Sequence, residues 1–135
     1  MAKKKISNTN LPSKATVEKY EMLEKLLHSS FLEMKEFSKK KPDELLNKFK
    51  VSSLNRILLP IKELLKDEPT SAFLDLLDED TIPSYSDSIL IVAQFQSAMD
   101  QFKSKYYGRT GEFLSSARWF TMEKPGTHYQ NEDDD

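Results

Sequence analysis

Four carboxylates, Asp75, Asp78, Glu79 and Asp80, fall within six positions of the stretch LDLLDEDTIPSYSD. Groups this close together can chelate a divalent cation, attract a basic surface, or merely stand as a solvated helix end. A calcium loop of the EF-hand type requires alternating oxygen ligands, Gly at its sixth position and Glu at its twelfth. The run DLLDEDTIPSYS has neither. A di-metal carboxylate bundle requires Glu-x-x-His on paired helices, and the chain contains no such spacing. A looser magnesium pair of Asp78 and Asp80 is all that a metal reading retains, so no metal and no cofactor is expected.

Other chemistries are narrowed by composition. The chain has no Cys and only two His, His28 and His128, which removes thiolate zinc sites, disulfides and Cys nucleophiles. A catalytic triad needs a base oriented by a third group. His28 lies beside Leu27 on a helical stripe, where it reads as a flank residue, and His128 lies in a polar tail. No G-x-S-x-G elbow, Walker loop or H-E-x-x-H motif occurs. Small helical RNases of the HEPN type place a His a few positions after an Arg, and Arg118 and His128 are too far apart for that. No catalytic residue is assigned, and the chain is not expected to be an enzyme. An unrecognised helical hydrolase or nuclease is the residual enzymatic alternative.

Two features point to macromolecular partners. The segment ELLNKFKVSSLNRIL, residues 44 to 58, is loosely similar to a helix-turn-helix. Lys50 and Ser52 would sit in its turn, and Asn55 and Arg56 on its second helix; Asn and Arg can read base edges bidentately. Lys50 stands where Gly is usual, and Pro60 interrupts the recognition helix. Lys3–Lys5 and Lys39–Lys41 form two lysine clusters suited to phosphates, without interleaved aromatics. The second feature is aromatic. Tyr106, Tyr107, Phe113, Trp119, Phe120 and Tyr129 crowd the last 30 residues. On a sixth helix Phe113, Ala117 and Phe120 would share a face while Trp119 and Met122 point elsewhere, and Arg118 and Trp119 are interface-favoured types.

Charge is divided along the chain. Residues 1 to 50 carry 12 Lys against 7 Asp or Glu, and residues 51 to 135 carry 8 Lys or Arg against 15 Asp or Glu. Between Glu63 and Asp100, nine carboxylates face one base, Lys66. Such asymmetry speaks to partners rather than to fold.

The elements that must position these residues follow from periodicity. Gly is absent before position 108, which favours helices over tight hairpins. Val17, Tyr20, Leu23, Leu27, Phe31, Met34 and Phe37 recur at steps of three and four, predicting a helix from Pro12-Ser13 to about Ser38. Pro42 opens a short second helix with Leu45, Leu46 and Phe49. A third, capped by Ser52 or Ser53, carries Leu54, Ile57, Leu58, Ile61, Leu64 and Leu65, and Pro60 should kink or split it. A fourth follows Thr70 or Ser71, with Phe73, Leu74, Leu76 and Leu77, and ends among the carboxylates. A fifth runs from about Ser86 to Tyr107, closed by Gly108. A sixth runs from about Glu112 to Met122.

The expected fold is all-α, a compact bundle of five to six helices, two of them long, over residues 12–122. A disordered basic arm (1–11) and an acidic tail (123–135) flank it. No apolar run reaches the roughly 18 residues of a membrane span, so an intracellular, cytoplasmic protein with no membrane role is expected. The expected function is protein–protein binding by a small adaptor, inhibitor or regulatory subunit, with a basic protein or a second copy of the chain as partner. Asp75, Asp78, Glu79 and Asp80 would form an acidic rim, because carboxylates at a helix C-terminus oppose the dipole and call for a cation. Ile82 and Tyr85 would be its apolar anchors, and Arg118 and Trp119 a second contact. The alternative is a nucleic-acid-binding regulator using residues 44–58 and the N-terminal lysines.

Overall fold

Ser13 starts the first helix. Its hydroxyl accepts from the Thr16 amide at 3.1 Å, an N-cap bond that satisfies one of the free donors of the first turn. Helix α1 then runs Lys14–Lys40 and ends with Lys39 and Lys40 at its negative pole. The computed structural model describes residues 2–5 and 11–130, with 2–5 and 127–130 as backbone. Helix α2 spans Lys48–Leu64 and helix α3 spans Tyr85–Tyr106. Strand β1, Ala2–Lys5, pairs antiparallel with β4, Thr127–Gln130, and β2, Tyr107–Thr110, pairs antiparallel with β3, Ser116–Trp119.

The expected bundle of five to six helices is therefore corrected. Among the described residues there are three α-helices and two small two-stranded ladders, and the chain is mostly helical. Each missing helix has a physical reason. Residues 42–46 give their backbone groups to a neighbour in space instead of to a helical ladder. Leu46 N–H donates to the Pro83 carbonyl, Tyr85 N–H to the Glu44 carbonyl and Ser86 N–H to the Pro42 carbonyl, at 2.9, 2.9 and 3.0 Å. Helix α2 starts one turn earlier than Ser52, because Asn47 is the cap: its Oδ1 accepts from Lys50 N–H at 2.8 Å. Pro60 stays inside α2 without splitting it.

The fourth expected helix is a short 3-10 helix, Pro69–Phe73, followed by chain that is neither helix nor strand. The sixth is a hairpin. Its 111–115 loop turns through Gly111 at φ 84°, and Phe113 and Leu114 follow at φ 59° and 56°. The Phe113–Ala117–Phe120 face of that expected helix does not exist: Phe120 is buried while Phe113 and Ala117 are exposed. The isoleucine-rich run Ile89–Val92 lies inside α3.

The chain divides into two units, one of Met1–Lys19 with Gln101–Asp135 and one of Tyr20–Asp100. The core of the second unit includes Leu23, Leu27, Leu54, Leu58, Ile61, Leu74, Leu77, Val92, Phe95 and Met99. In it the buried Tyr20 hydroxyl donates to the Met99 carbonyl at 2.7 Å, and burial pushes that phenol well above its ordinary range. The first unit buries Leu11, Val17, Phe102, Tyr106 and Phe120. There Met122 N–H donates to the Pro12 carbonyl, and Lys14 N–H to Glu123 Oε1. The rest of the expected arm and tail, residues 1, 6–10 and 131–135, lies outside the described residues. Among the described residues no helix is long and apolar enough to cross a membrane.

Candidate functional site

A strap that is neither helix nor strand carries the carboxylates. Leu74 and Leu77 point into the core of the second unit, while Asp75, Asp78, Glu79 and Asp80 are exposed. The helix that would have satisfied this backbone is absent, and a side chain takes over part of its role. Asn55, on α2, donates from Nδ2 to the Leu77 carbonyl at 2.9 Å, and its Oδ1 accepts from Leu77 N–H at 2.9 Å. One amide thus closes both polar groups of a buried residue's peptide. Leucine burial holds the strap inward, and the Asn55 clamp sets its register.

Beyond the clamp the strap turns sharply. Asp78 Oδ1 accepts from Asp80 N–H at 2.8 Å and from Thr81 N–H at 3.1 Å. These backbone donors, Asp80 first, hold the Asp78 carboxyl below the usual range. Ile82 is half-buried. Ser84 then caps α3, its Oγ accepting from Asp87 N–H at 3.2 Å. Residues 83–86 are also pinned to 42–46 by the three bonds given above. The strap is therefore fixed at its middle and at its far end.

The carboxylates have no cation. Among the described residues, Asp75, Asp78, Glu79 and Asp80 make no ion pair; two surface pairs, Glu36–Lys39 at 3.1 Å and Lys41–Glu44 at 3.8 Å, lie elsewhere. They also do not stand at a helix C-terminus, so the dipole argument for a nearby cation falls away. Among the described residues no group of three or more His, Asp or Glu comes together as metal ligands.

Tyr85 is placed differently from an edge anchor. It is only 4% exposed, its ring stacked on Phe37 with centroids 4.3 Å apart. Lys50 Nζ donates to its hydroxyl at 2.6 Å and lies over both rings, 5.3 Å from the Tyr85 centroid and 5.4 Å from that of Phe37. The Tyr85 hydrogen bond raises the Lys50 pKa. This cluster knits α1, α2 and the start of α3 together within the second unit.

The residues of the helix-turn-helix reading are dispersed in role. Segment 44–58 contains one helix, not two. Asn55 is bound to Leu77, Lys50 to Tyr85, and Ser52 and Arg56 are exposed on α2. His28 is exposed, with Gln96 Nε2 at 3.4 Å from its Nδ1 and no carboxylate of the described residues bonded to it. Arg118 and Trp119 belong to β3. Arg118 Nη1 donates to the Trp119 and Lys124 carbonyls at 2.9 and 2.8 Å, and its guanidinium lies over Phe120. Trp119 is half-buried, edge-on to Tyr107 and tilted against Phe102.

Sequence reasoning passed over Asn55 as a clamp. An Asn on a helix, with an acidic Leu-rich stretch about 20 residues on, carries no local sign that the two meet. No protein-family profile, characterised protein or solved structure matches the chain.

Proposed function

We propose that the protein works by binding another protein through the 74–82 strap. The observation that supports this most is the combination of fixed backbone and unneutralised charge. Asn55 and the Asp78 turn hold four exposed carboxylates in place without any of them pairing to a cation of the described residues. A rigid acidic edge loses little conformational entropy when it meets a basic surface. Ile82, half-buried beside it, adds an apolar border. The partner is a Lys/Arg-rich protein surface, and a second copy of this chain is the simplest source of one. Charges in such a rim act mainly on the rate of encounter.

The test is a quadruple neutral variant, Asp75→Asn, Asp78→Asn, Glu79→Gln and Asp80→Asn. Asp78→Asn keeps the oxygen that accepts from Asp80 and Thr81, so the strap should retain its path. Native-lysate capture and sedimentation, both at low and moderate salt, read the outcome. The variant should lose the salt-sensitive partners, or the salt-sensitive self-association, of the wild type. Identical partners and an identical sedimentation profile would leave the strap as a solvated edge with no binding role.

A further inference from the structure

Antiparallel register places Tyr107 opposite Trp119 and Arg109 opposite Ala117, and residues two apart on one strand share a face of the ladder. The two rings meet edge to face, 5.6 Å between centroids. At one end of this face Lys103, in the last turn of α3, holds its ammonium 4.8 Å from the Tyr107 ring centre. Toward the other end Arg109 is exposed, donating from Nη1 to the Leu114 carbonyl at 3.3 Å. Ala117, exposed opposite it, is too short to cover the face.

The tip adds a third ring. Phe113 is 91% exposed and holds a left-handed backbone conformation at φ 59°, with Leu114 beside it at 56°. Such a conformation is unfavourable for bulky residues, and Phe113 gains no burial within the chain to offset it. The hairpin thus carries one cation against the Tyr107–Trp119 ring pair, a second cation at Arg109 and an exposed ring at its tip.

Charge agrees with this reading. The unit that holds the hairpin, residues 1–19 with 101–135, has ten Lys or Arg and seven Asp or Glu, four of the seven being Glu132–Asp135 at the chain end. The acidic stretch 63–100 belongs to the other unit.

We infer that this face of the β2–β3 hairpin binds single-stranded nucleic acid. Lys103 and Arg109 meet phosphates, and Tyr107, Trp119 and Phe113 offer ring surface to bases. Two cations beside exposed and half-buried rings suit a single strand, whose phosphates and base faces are both accessible. A duplex hides its base faces. A bilayer surface requires a continuous apolar area, and Phe113 instead has exposed Glu112 as its neighbour. An acidic protein would use the cations and leave the exposed ring at the tip without a role.

Trp119 is the only tryptophan, so stacking can be read directly. The full chain is titrated with labelled oligothymidylate and oligouridylate of about 12 nucleotides, a length within the range of known single-strand sites. Trp119 fluorescence and label anisotropy are followed together. Saturable quenching is expected at low salt. With two phosphates neutralised, raising salt from ~50 to ~200 mM should weaken binding about 7-fold. Lys103→Gln with Arg109→Gln should bring that dependence close to flat, and Phe113→Ala should weaken binding about 5-fold or more. The quadruple strap variant should bind the oligonucleotides as the wild type does, which separates this test from the previous one.

Three results overturn the inference: no quenching or anisotropy change at low salt; binding that leaves Trp119 unquenched and is unaffected by Phe113→Ala, which is polycation attraction alone; or a Trp119 blue shift with phosphatidylserine vesicles and none of these responses to oligonucleotide. Lys103, Arg109 and Phe113 are all exposed, so circular dichroism of the variants should match the wild type. If the double variant lost helicity, Lys103→Gln and Arg109→Gln measured singly would each have to reduce the salt dependence.

Discussion

Replacing Asn55 by Ala removes both hydrogen bonds to the Leu77 peptide without touching the hydrophobic core directly. The Leu77 N–H and carbonyl lose their side-chain partners together. At the net value of ordinary hydrogen bonds, two such losses cost about 1–3 kcal/mol. Asn55 is half-buried, so water can reach part of the gap, and the largest penalties for isolated buried groups do not apply. For a chain of this size the loss corresponds to a fall in melting temperature of about 3–10 °C. Local opening should exceed global destabilisation, because the clamp acts on one segment. Hydrogen exchange is the assay that resolves this: the amides of residues 76–79 should lose protection by more than those of α3. Asn55→Asp keeps the acceptor for Leu77 N–H but faces a carboxylate oxygen toward the Leu77 carbonyl, so it should do no better than Ala. An Asn55→Ala protein within about 0.5 kcal/mol of wild type, the usual spread of neutral surface changes, with unchanged exchange at Leu77, would refute the clamp. The rigid presentation of the acidic strap would then be refuted with it.

Four further outcomes are expected. Phe113→Asn should raise stability by about 1 kcal/mol in urea unfolding, because Asn tolerates the left-handed conformation that Phe113 occupies with no packing in return; a fall in midpoint would count against strain at the tip. Leu27→Asp or Met99→Asp should cost about 3 kcal/mol or more, each placing an unpaired charge in a buried site, and a folded variant of near wild-type stability would contradict the core assignment. Tyr20 is buried with its phenol pKa raised, so the folded state favours the protonated form. That contribution is complete below the unfolded tyrosine value near ~10 and is lost as pH rises above it. Circular dichroism should therefore show alkaline unfolding at higher pH, relative to neutral stability, in Tyr20→Phe than in wild type. Asp78 has its pKa lowered, so its contribution is present above the unfolded carboxylate value and lost as pH falls below it; an Asp78→Asn protein should show a shallower loss of stability on the acid side.

Local periodicity was enough for the long helices. The stripe of Val17, Tyr20, Leu23, Leu27 and Met34 lies buried along α1, and Val92, Met99, Phe102 and Tyr106 along α3. A long helix satisfies its backbone internally and needs only one apolar face, so its pattern is written in neighbours three and four apart. The short segments were illegible for the opposite reason. Residues 42–47, 70–79 and 112–122 have helical-looking apolar spacing, yet a helix of two or three turns is marginal on its own, and partners distant in sequence outbid it. Residues 42–46 bond to 83–86, Leu77 bonds to Asn55, and 107–110 pairs with 116–119. The same competition decided the candidate surfaces. Sequence alone located the carboxylate cluster and the aromatic C-terminal region, because charge and ring content are properties of composition. Tertiary structure decided that the carboxylates ride on a clamped strap, that Tyr85 is a buried stacking partner, and that Trp119 shares a hairpin face with Tyr107 and Arg109. Hydrogen-bond partners for short segments are whatever the fold brings within about 3 Å, and for these segments those partners lie far away in sequence.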